Sequence, residues 1–302
     1  METINFVYNG LEKERLDKFL ASSLTEYSRS FIQSLIKEGY VDVNGKLEKA
    51  NYILKTGDSI EVRVKDVEES DIEPEDIPLD IVYEDSDIIV INKPSGMVVH
   101  PGAGNYAHTL VNALLFHCKD LSGINGKIRA GIVHRIDKDT SGLIVACKND
   151  NAHHSLSEQF QNHEVKKVYL ALVSGIIPHN LGHIDAPLVR DPKNREQYIV
   201  MQGGKNAITN FRVIDRFSDA TLIEVEIETG RTHQIRAHMK YIGYPIIGDP
   251  IYGLKREIVP TGQFLHAKHL EFKHPESGKL MVFDQDVPEY FNEKIEELRK
   301  RM

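Results

Sequence analysis

Residues 66–80, DVEESDIEPEDIPLD, pack mutually repelling carboxylates around Pro74 and Pro78. A stretch of this composition has little apolar surface to bury and reads as an extended, solvated tether. It therefore divides the chain. At 302 residues the sequence has room for about two cores, one on each side. The expected organisation is a small unit over 1–65, an acidic linker over 66–80 and a larger domain over 81–302.

The net charge of −8 is unevenly spread. Residues 1–64 carry 10 acids and 9 bases, and residues 65–87 carry 11 acids against Lys65 alone. Residues 88–302 hold 24 acids and 27 bases, together with all 14 histidines. The acidity thus belongs to the tether, and a polyanionic partner is permitted elsewhere. No apolar run approaches the ~20 residues of a membrane span, and METINFVYNG lacks the basic flank and apolar core of an export signal. Cys118 and Cys147 are too few for a disulfide framework or a four-cysteine zinc site. A cytoplasmic protein with no membrane partner is expected.

In the first unit, Leu16, Phe19, Leu20 and Leu24 recur at helical spacing, predicting a helix over about 12–24. Ser28 is a candidate N-cap for a second helix bearing Phe31, Ile32, Leu35 and Ile36, stopped by Gly39. Val41 and Val43 alternate into Asn44-Gly45, a hairpin signal, and Ile60, Val62 and Val64 alternate after Gly57-Asp58. Such a unit is too small to hold an enzyme's core but is large enough to bind. The run from Arg15 to Val62, RLDKFLA…YSRSFIQSLIKEGYVDVNGK…LKTGDSIEV, resembles the small α/β RNA-binding domain named after ribosomal protein S-four. That resemblance implies binding to structured RNA, with Arg15, Arg29 and Lys37 contacting phosphates.

Beyond the tether, Ile88–Ile91 reads as a buried strand, and His100–Asn105 is a glycine-containing loop without dinucleotide or P-loop spacing. Strand and helix patterns then mix without a βαβ rhythm. An α+β fold is expected, with a mixed, largely antiparallel sheet. The informative stretch is Gly131–Lys148, GIVHRIDKDTSGLIVACK. Ile132-Val133 and Leu143–Ala146 read as strands gripping a polar loop, His134–Gly142, where a fold can hold charges rigidly at a cleft.

The core of that stretch, HRIDKDTSG, is similar to the signature of the RluA-type pseudouridine synthases, which include large-subunit rRNA enzymes of the RluC and RluD kind. Lys167–Val173, Glu228–Arg236, His100–Asn105 and Gly248–Gly253 extend the resemblance over about 81–272. Converting uridine to pseudouridine cleaves the N1–C1′ bond, turns the uracil and joins C5 to C1′. Atoms and oxidation state are conserved, so no cofactor and no metal are expected. The resemblance implies Asp137 as the catalytic aspartate, adding at C1′ or removing the C2′ proton; aspartate chemistry suits either. A carboxylate working in a water-poor pocket calls for a paired cation, and the resemblance implies Arg236. It further implies Tyr169 packed on the target uracil, Ile235 on its other side, and Arg135 filling the space left by a flipped uridine.

Two other readings compete. Asp137 and Asp139 could serve a nucleoside or glycoside hydrolase as paired carboxylates, and the first unit alone would suit an RNA chaperone. The histidines lack helical zinc spacing. The expected partner is structured RNA, large-subunit rRNA in particular, acted on by a monomer that needs no protein partner.

Overall fold

A computed structural model describes residues 2–10, 13–24, 29–64, 72–102, 105, 107–119, 121–124 and 130–301, with the backbone alone at Glu2, Arg29, Ser30, Phe31 and Ser34. The chain divides into two units, Met1–Asp71 and Ile72–Met302.

The first unit contains β1 (Glu2–Val7), α1 (Leu16–Ser23), α2 (Arg29–Lys37), β2 (Val41–Val43), β3 (Lys46–Leu47) and β4 (Ser59–Val64). Its strands form an antiparallel sheet in the order β1-β4-β2-β3. Leu16 and Leu20 of α1 and Ile32, Leu35 and Ile36 of α2 bury against Val41, Val43, Ile60 and Val62, as their spacing requires. α1 starts later than the periodicity suggests, because Arg15 is extended and bridges to Ile53. Ser28 lies outside the described residues. Asn44 and Gly45 turn the β2–β3 hairpin with φ of 54° and 73°, the left-handed pair that a two-residue loop demands.

The second unit adds β5 (Ile81–Glu84), β6 (Ile88–Lys93), α3 (Leu110–His117), β7 (Ser141–Cys147), α4 (Asp150–Gln161), β8 (Lys166–Ser174), β9 (Leu181–Asp185), β10 (Leu188–Arg190), β11 (Tyr198–Val200), β12 (Ile208–Arg216), β13 (Ala220–Ile227), α5 (Gln234–Tyr241), β14 (Leu265–Lys273), β15 (Leu280–Asp284) and α6 (Glu289–Lys300). The main sheet runs β5-β6-β7-β14-β8-β13-β12-β9, with β15 added on β14 and β10–β11 as a separate hairpin. Each of these pairings is antiparallel except β7 with β14. Both faces of the sheet are covered. Ile89, Ile91, Ile144, Ala171 and Ile223 share one core with α3 and α5, through Leu110, Leu114, Ile235 and Met239. On the other face Ile88, Val90 and Val145 meet Ala152 and Leu156 of α4, and Leu172 and Leu222 meet Phe291 and Leu298 of α6. A strand buried on both sides is apolar at successive positions, which is why Ile88–Ile91 does not alternate.

Two expectations are corrected. Ile132-Val133 is not a strand: β6 fills one edge of β7, and the other edge is shared. There His266 and Ala267 pair in parallel with Ser141 and Gly142, leaving Ile132 a single bridge to Ala146. Residues 72–80, expected as the second half of the tether, instead pack on the larger unit. Ile72 is buried, Leu79 lies against the same core, and Asn112 Nδ2 donates to Glu73 O at 2.9 Å. Ile72 and Leu79 supply the apolar anchors that the surrounding carboxylates obscure. Residues 66–71 lie outside the described residues.

Gly142 is required where β7 meets β14. Its φ is +108°, and an added Cβ would run into the backbone of Ala267. Gly278 also has positive φ, +66°, but open space around it. Gly278→Ala should therefore cost about 1–2 kcal/mol, the left-handed penalty alone. Gly142→Ala should cost at least about 3 kcal/mol, because backbone must also move. Chemical denaturation of both variants checks the difference, and equal losses would mean that β14 yields without strain.

Candidate active site

The polar loop ahead of β7 is held by backbone rather than by its own charges. Lys93, wholly buried at the end of β6, donates from Nζ to Pro94 O at 2.7 Å, Met97 O at 2.9 Å and Lys138 O at 2.9 Å. Three carbonyls match the three donors of an ammonium. Burial pulls the Lys93 pKa down to about 7, against the opposing charges of Asp139 and Asp137. Ser95 Oγ donates to Asp139 O and Thr261 O, Gln263 Nε2 donates to Thr140 Oγ1, and Thr140 N–H closes a turn onto Asp137 O. The parallel β7–β14 pair then places the starts of both strands side by side, with this loop beside Leu265 at the cavity wall.

Asp137 meets Arg236 across that cavity. Arg236 Nη1 donates to Asp137 Oδ2 at 2.9 Å, while Nε and Nη2 donate to the two oxygens of Asp249 at 2.7 and 2.9 Å. The Arg236 and Asp249 side chains are 4% and 0% exposed, whereas Asp137 keeps 17%, facing the cavity. Asp249 Oδ1 also accepts the N–H groups of Ile251 and Tyr252. Burial works against the charge of Arg236, but the hydrogen bonds to Asp249 and the charge of Asp137 outweigh it and raise its pKa. The Tyr252 ring lies 5.1 Å from the guanidinium. His233 stands 3.9 Å from Asp137 through Nε2, with Nδ1 3.0 Å from Tyr252 Oη.

The start of α5 is fastened by Gln234. Its Oε1 accepts from Thr229 Oγ1 and Arg231 N, and its Nε2 donates to Ile208 O and Thr209 Oγ1. Every bond of this buried amide ties the Thr229–Gln234 turn to itself or to β12, with His233 in the left-handed region at φ 56°. Ile235 and Tyr169 line the cavity with Asp137. Burial, then the charge of Asp137, push the Tyr169 hydroxyl's pKa up, so the phenol keeps its proton. Arg135 is exposed and lines the cavity, 3.4 Å from His100 Nε2. Asp139 does not line it; its side chain packs against Gly262, which removes the paired-carboxylate arrangement a hydrolase needs.

Residues 87–241 match the RNA pseudouridylate synthase family, and residues 14–60 match the S4 domain. YlyB of Bacillus subtilis, named as an RNA pseudouridine synthase, is 53% identical over 96% of this chain and 95% of its own. The chain belongs to the RNA pseudouridine synthase family. Ribosomal large subunit pseudouridine synthase D of Zymomonas mobilis is 47% identical over 91% of this chain and 90% of its own. Human RNA Pseudouridylate Synthase Domain Containing 1 shares the fold, with a TM-score of 0.59 and 23% identity over 74% of this chain and 95% of that one. The protein is thus an isomerase acting on uridine in RNA, with a mixed, largely antiparallel α+β fold and an N-terminal RNA-binding S4 domain.

In that S4 domain, Arg15 is engaged by the buried Asp17 through two bonds of 2.9 and 3.0 Å. Lys37 is exposed, and the side chain of Arg29 lies outside the described residues. Sequence reasoning gave no role to Asp249, Lys93 or His233. An acid inside the otherwise apolar Tyr244–Tyr252 stretch, and a lysine closing the Ile88–Ile91 run, were the available signals. Two clusters, Glu84 with His117 and Cys118 and Asp85 with Asp87 and His274, bring possible metal ligands together. Neither includes a cavity residue, and Glu84 and Asp85 already bond to Lys148 and to Tyr83.

Asp249→Ala should destabilise the larger unit by about 3–5 kcal/mol, because it leaves a buried guanidinium with one carboxylate instead of two. Thermal or denaturant unfolding reads this directly. A loss under about 1 kcal/mol would mean that the ion network contributes little to the folded state.

Proposed function

We propose that Asp137 is the catalytic residue and that the substrate is a uridine of large-subunit ribosomal RNA. The observation that carries the first part is the 2.9 Å pair between Asp137 and the buried Arg236, beside a cavity walled by Tyr169 and Ile235. The reaction needs a carboxylate at the sugar, adding at C1′ or taking the C2′ proton, to release N1 of the base. Arg236 holds that carboxylate in place by a charge-assisted bond. Tyr169 packs against the detached uracil while it turns, and Ile235 closes the other side, so that C5 can meet C1′. Forming that bond breaks the Asp137–C1′ bond, or returns the proton to C2′, and the C5 proton then leaves to a base. Arg135, exposed at the same cavity, fills the gap left in the RNA stack when the uridine is flipped out, offsetting part of a cost of a few kcal/mol. The names of relatives such as the Zymomonas mobilis enzyme support ribosomal RNA as the substrate.

Asp137→Asn should abolish tritium release from RNA labelled at uracil C5 while leaving the fold and RNA affinity largely unchanged. Appreciable turnover by the purified variant would remove the assignment. Mapping pseudouridines in cells lacking the protein tests the substrate, since missing sites outside large-subunit rRNA would redirect it.

The S4 domain is proposed to raise the concentration of the catalytic unit at its RNA, not to shape the cavity. A chain of residues 72–302 keeps Ile72 and its packing. It should bind structured rRNA more weakly and with a flatter salt dependence, yet retain its single-turnover rate at saturating enzyme. A truncated protein that binds normally but cannot turn over would place the S4 domain in the catalytic machinery.

A further inference from the structure

Beside the Asp137 cavity runs a wider groove that shares Arg135, Tyr169 and Arg231 with it. Arg135, Lys167, Arg231, His100, His134 and His163 line this groove, and no carboxylate does among the described residues. In a chain of net charge −8, such a lining favours anions.

Lys167 is the member that the protein does not satisfy. It is 7% exposed, yet among the described residues its ammonium has neither a hydrogen bond nor an ion pair. Its Nζ lies over the Phe160 ring, 5.6 Å from the centroid. Phe160 is stacked on His134 at 4.5 Å, and the His134 Nε2 accepts from Val145 N–H. Burial and the charge of Lys167 drive the His134 pKa down to about 3, so this neighbour is a neutral wall. Burial likewise lowers the pKa of Lys167, with no acid opposing it. The contrast with Lys93, whose three donors all meet carbonyls, is direct. The stem of Lys167 is buried while its ammonium reaches the groove. A partly desolvated cation gains from a counter-charge, and the groove leaves the place for that charge open.

The position of Lys167 defines the anion. Lys167 and Tyr169 are two residues apart on β8, about 7 Å along the strand, and both line this groove. A nucleotide whose base lies on Tyr169 has its flanking phosphates within its own length of that ammonium. We propose that Lys167 receives one phosphodiester of the RNA strand, adjacent to the uridine held at Tyr169, and so directs the backbone along the groove as it leaves the active site. This rests on the reading of the Asp137 cavity as the uridine pocket. A phosphate oxygen would supply the missing hydrogen bonds as well as the missing charge.

The test uses the full chain and a stem-loop RNA containing one target uridine, with a neutral methylphosphonate placed at each nearby linkage in turn. Wild type, Lys167→Met and Lys167→Arg are compared by binding at several salt concentrations and by thermal unfolding without RNA. Lys167→Met should bind about tenfold more weakly, with a salt slope lower by about 1, and should melt no lower than wild type. Lys167→Arg should keep most of the affinity. One methylphosphonate position should weaken wild type by a similar factor and Lys167→Met hardly at all. Methylphosphonates that cost wild type and Lys167→Met equally at every linkage would overturn the proposal. So would a Lys167→Met protein that melts lower but binds as wild type does, since that describes a structural lysine. Inorganic phosphate that stabilises wild type but not Lys167→Met, with RNA affinity equal in both, would assign the site to a free anion and also overturn it. If Lys167→Met does not fold, Lys167→Gln carries the same comparison. Turnover by Asp137→Asn would overturn the active-site reading while leaving the methylphosphonate comparison to decide this one.

Discussion

The guanidinium of Arg236 is the interaction on which the catalytic unit depends. It is buried, it carries its charge, and it spends three of its donors on two carboxylates from different parts of the chain. Burying such charges is tolerable only when each finds its partner in good geometry. The start of α5, the turn at Asp249 and the loop before β7 must therefore be in place together. Gln234 fixes the first, the Ile251 and Tyr252 N–H groups hold the second, and Lys93 with Ser95 and Gln263 secures the third.

The sheet makes that convergence possible. The parallel pair β7 with β14 brings two strand starts to the same end, with the Asp137 loop entering β7 there. β8 lies next to β14 and presents Tyr169 to the same cavity. Helices on both faces keep these central strands dry, which lets hydrogen bonds to the loop act in a medium of low dielectric. The charge distribution follows the same division. Carboxylates crowd residues 65–87, while the groove beside the Asp137 cavity holds cations and histidines. A net charge of −8 conceals a local surface suited to a polyanion.

The helices of the S4 domain, the Asn44-Gly45 hairpin, the strands at Ile88–Ile91 and Leu143–Ala146 and the polar loop at Asp137 were all legible from the order of residues. Each depends on neighbours two to four positions apart, where periodicity and turn chemistry act. Ile132-Val133 misled because a β-branched pair looks like a strand wherever it stands, whereas strand status depends on a free sheet edge. β14, more than a hundred residues later, took the start of that edge, and Ile132 keeps a single bridge to Ala146. Residues 72–80 misled in the opposite sense: their acids dominate the composition, but Ile72 and Leu79 had a core to join.

The charges show the division most clearly. The sequence determined which acids and bases exist, and a specific resemblance implied that Asp137 and Arg236 form a pair. Only the tertiary structure decided that Arg236 answers both Asp137, 99 positions away, and Asp249, that Lys93 is spent on carbonyls, and that Lys167 meets no counter-charge among the described residues. A side chain's charge is a local property, but the cost of burying it depends on what the rest of the fold brings within about 3 Å.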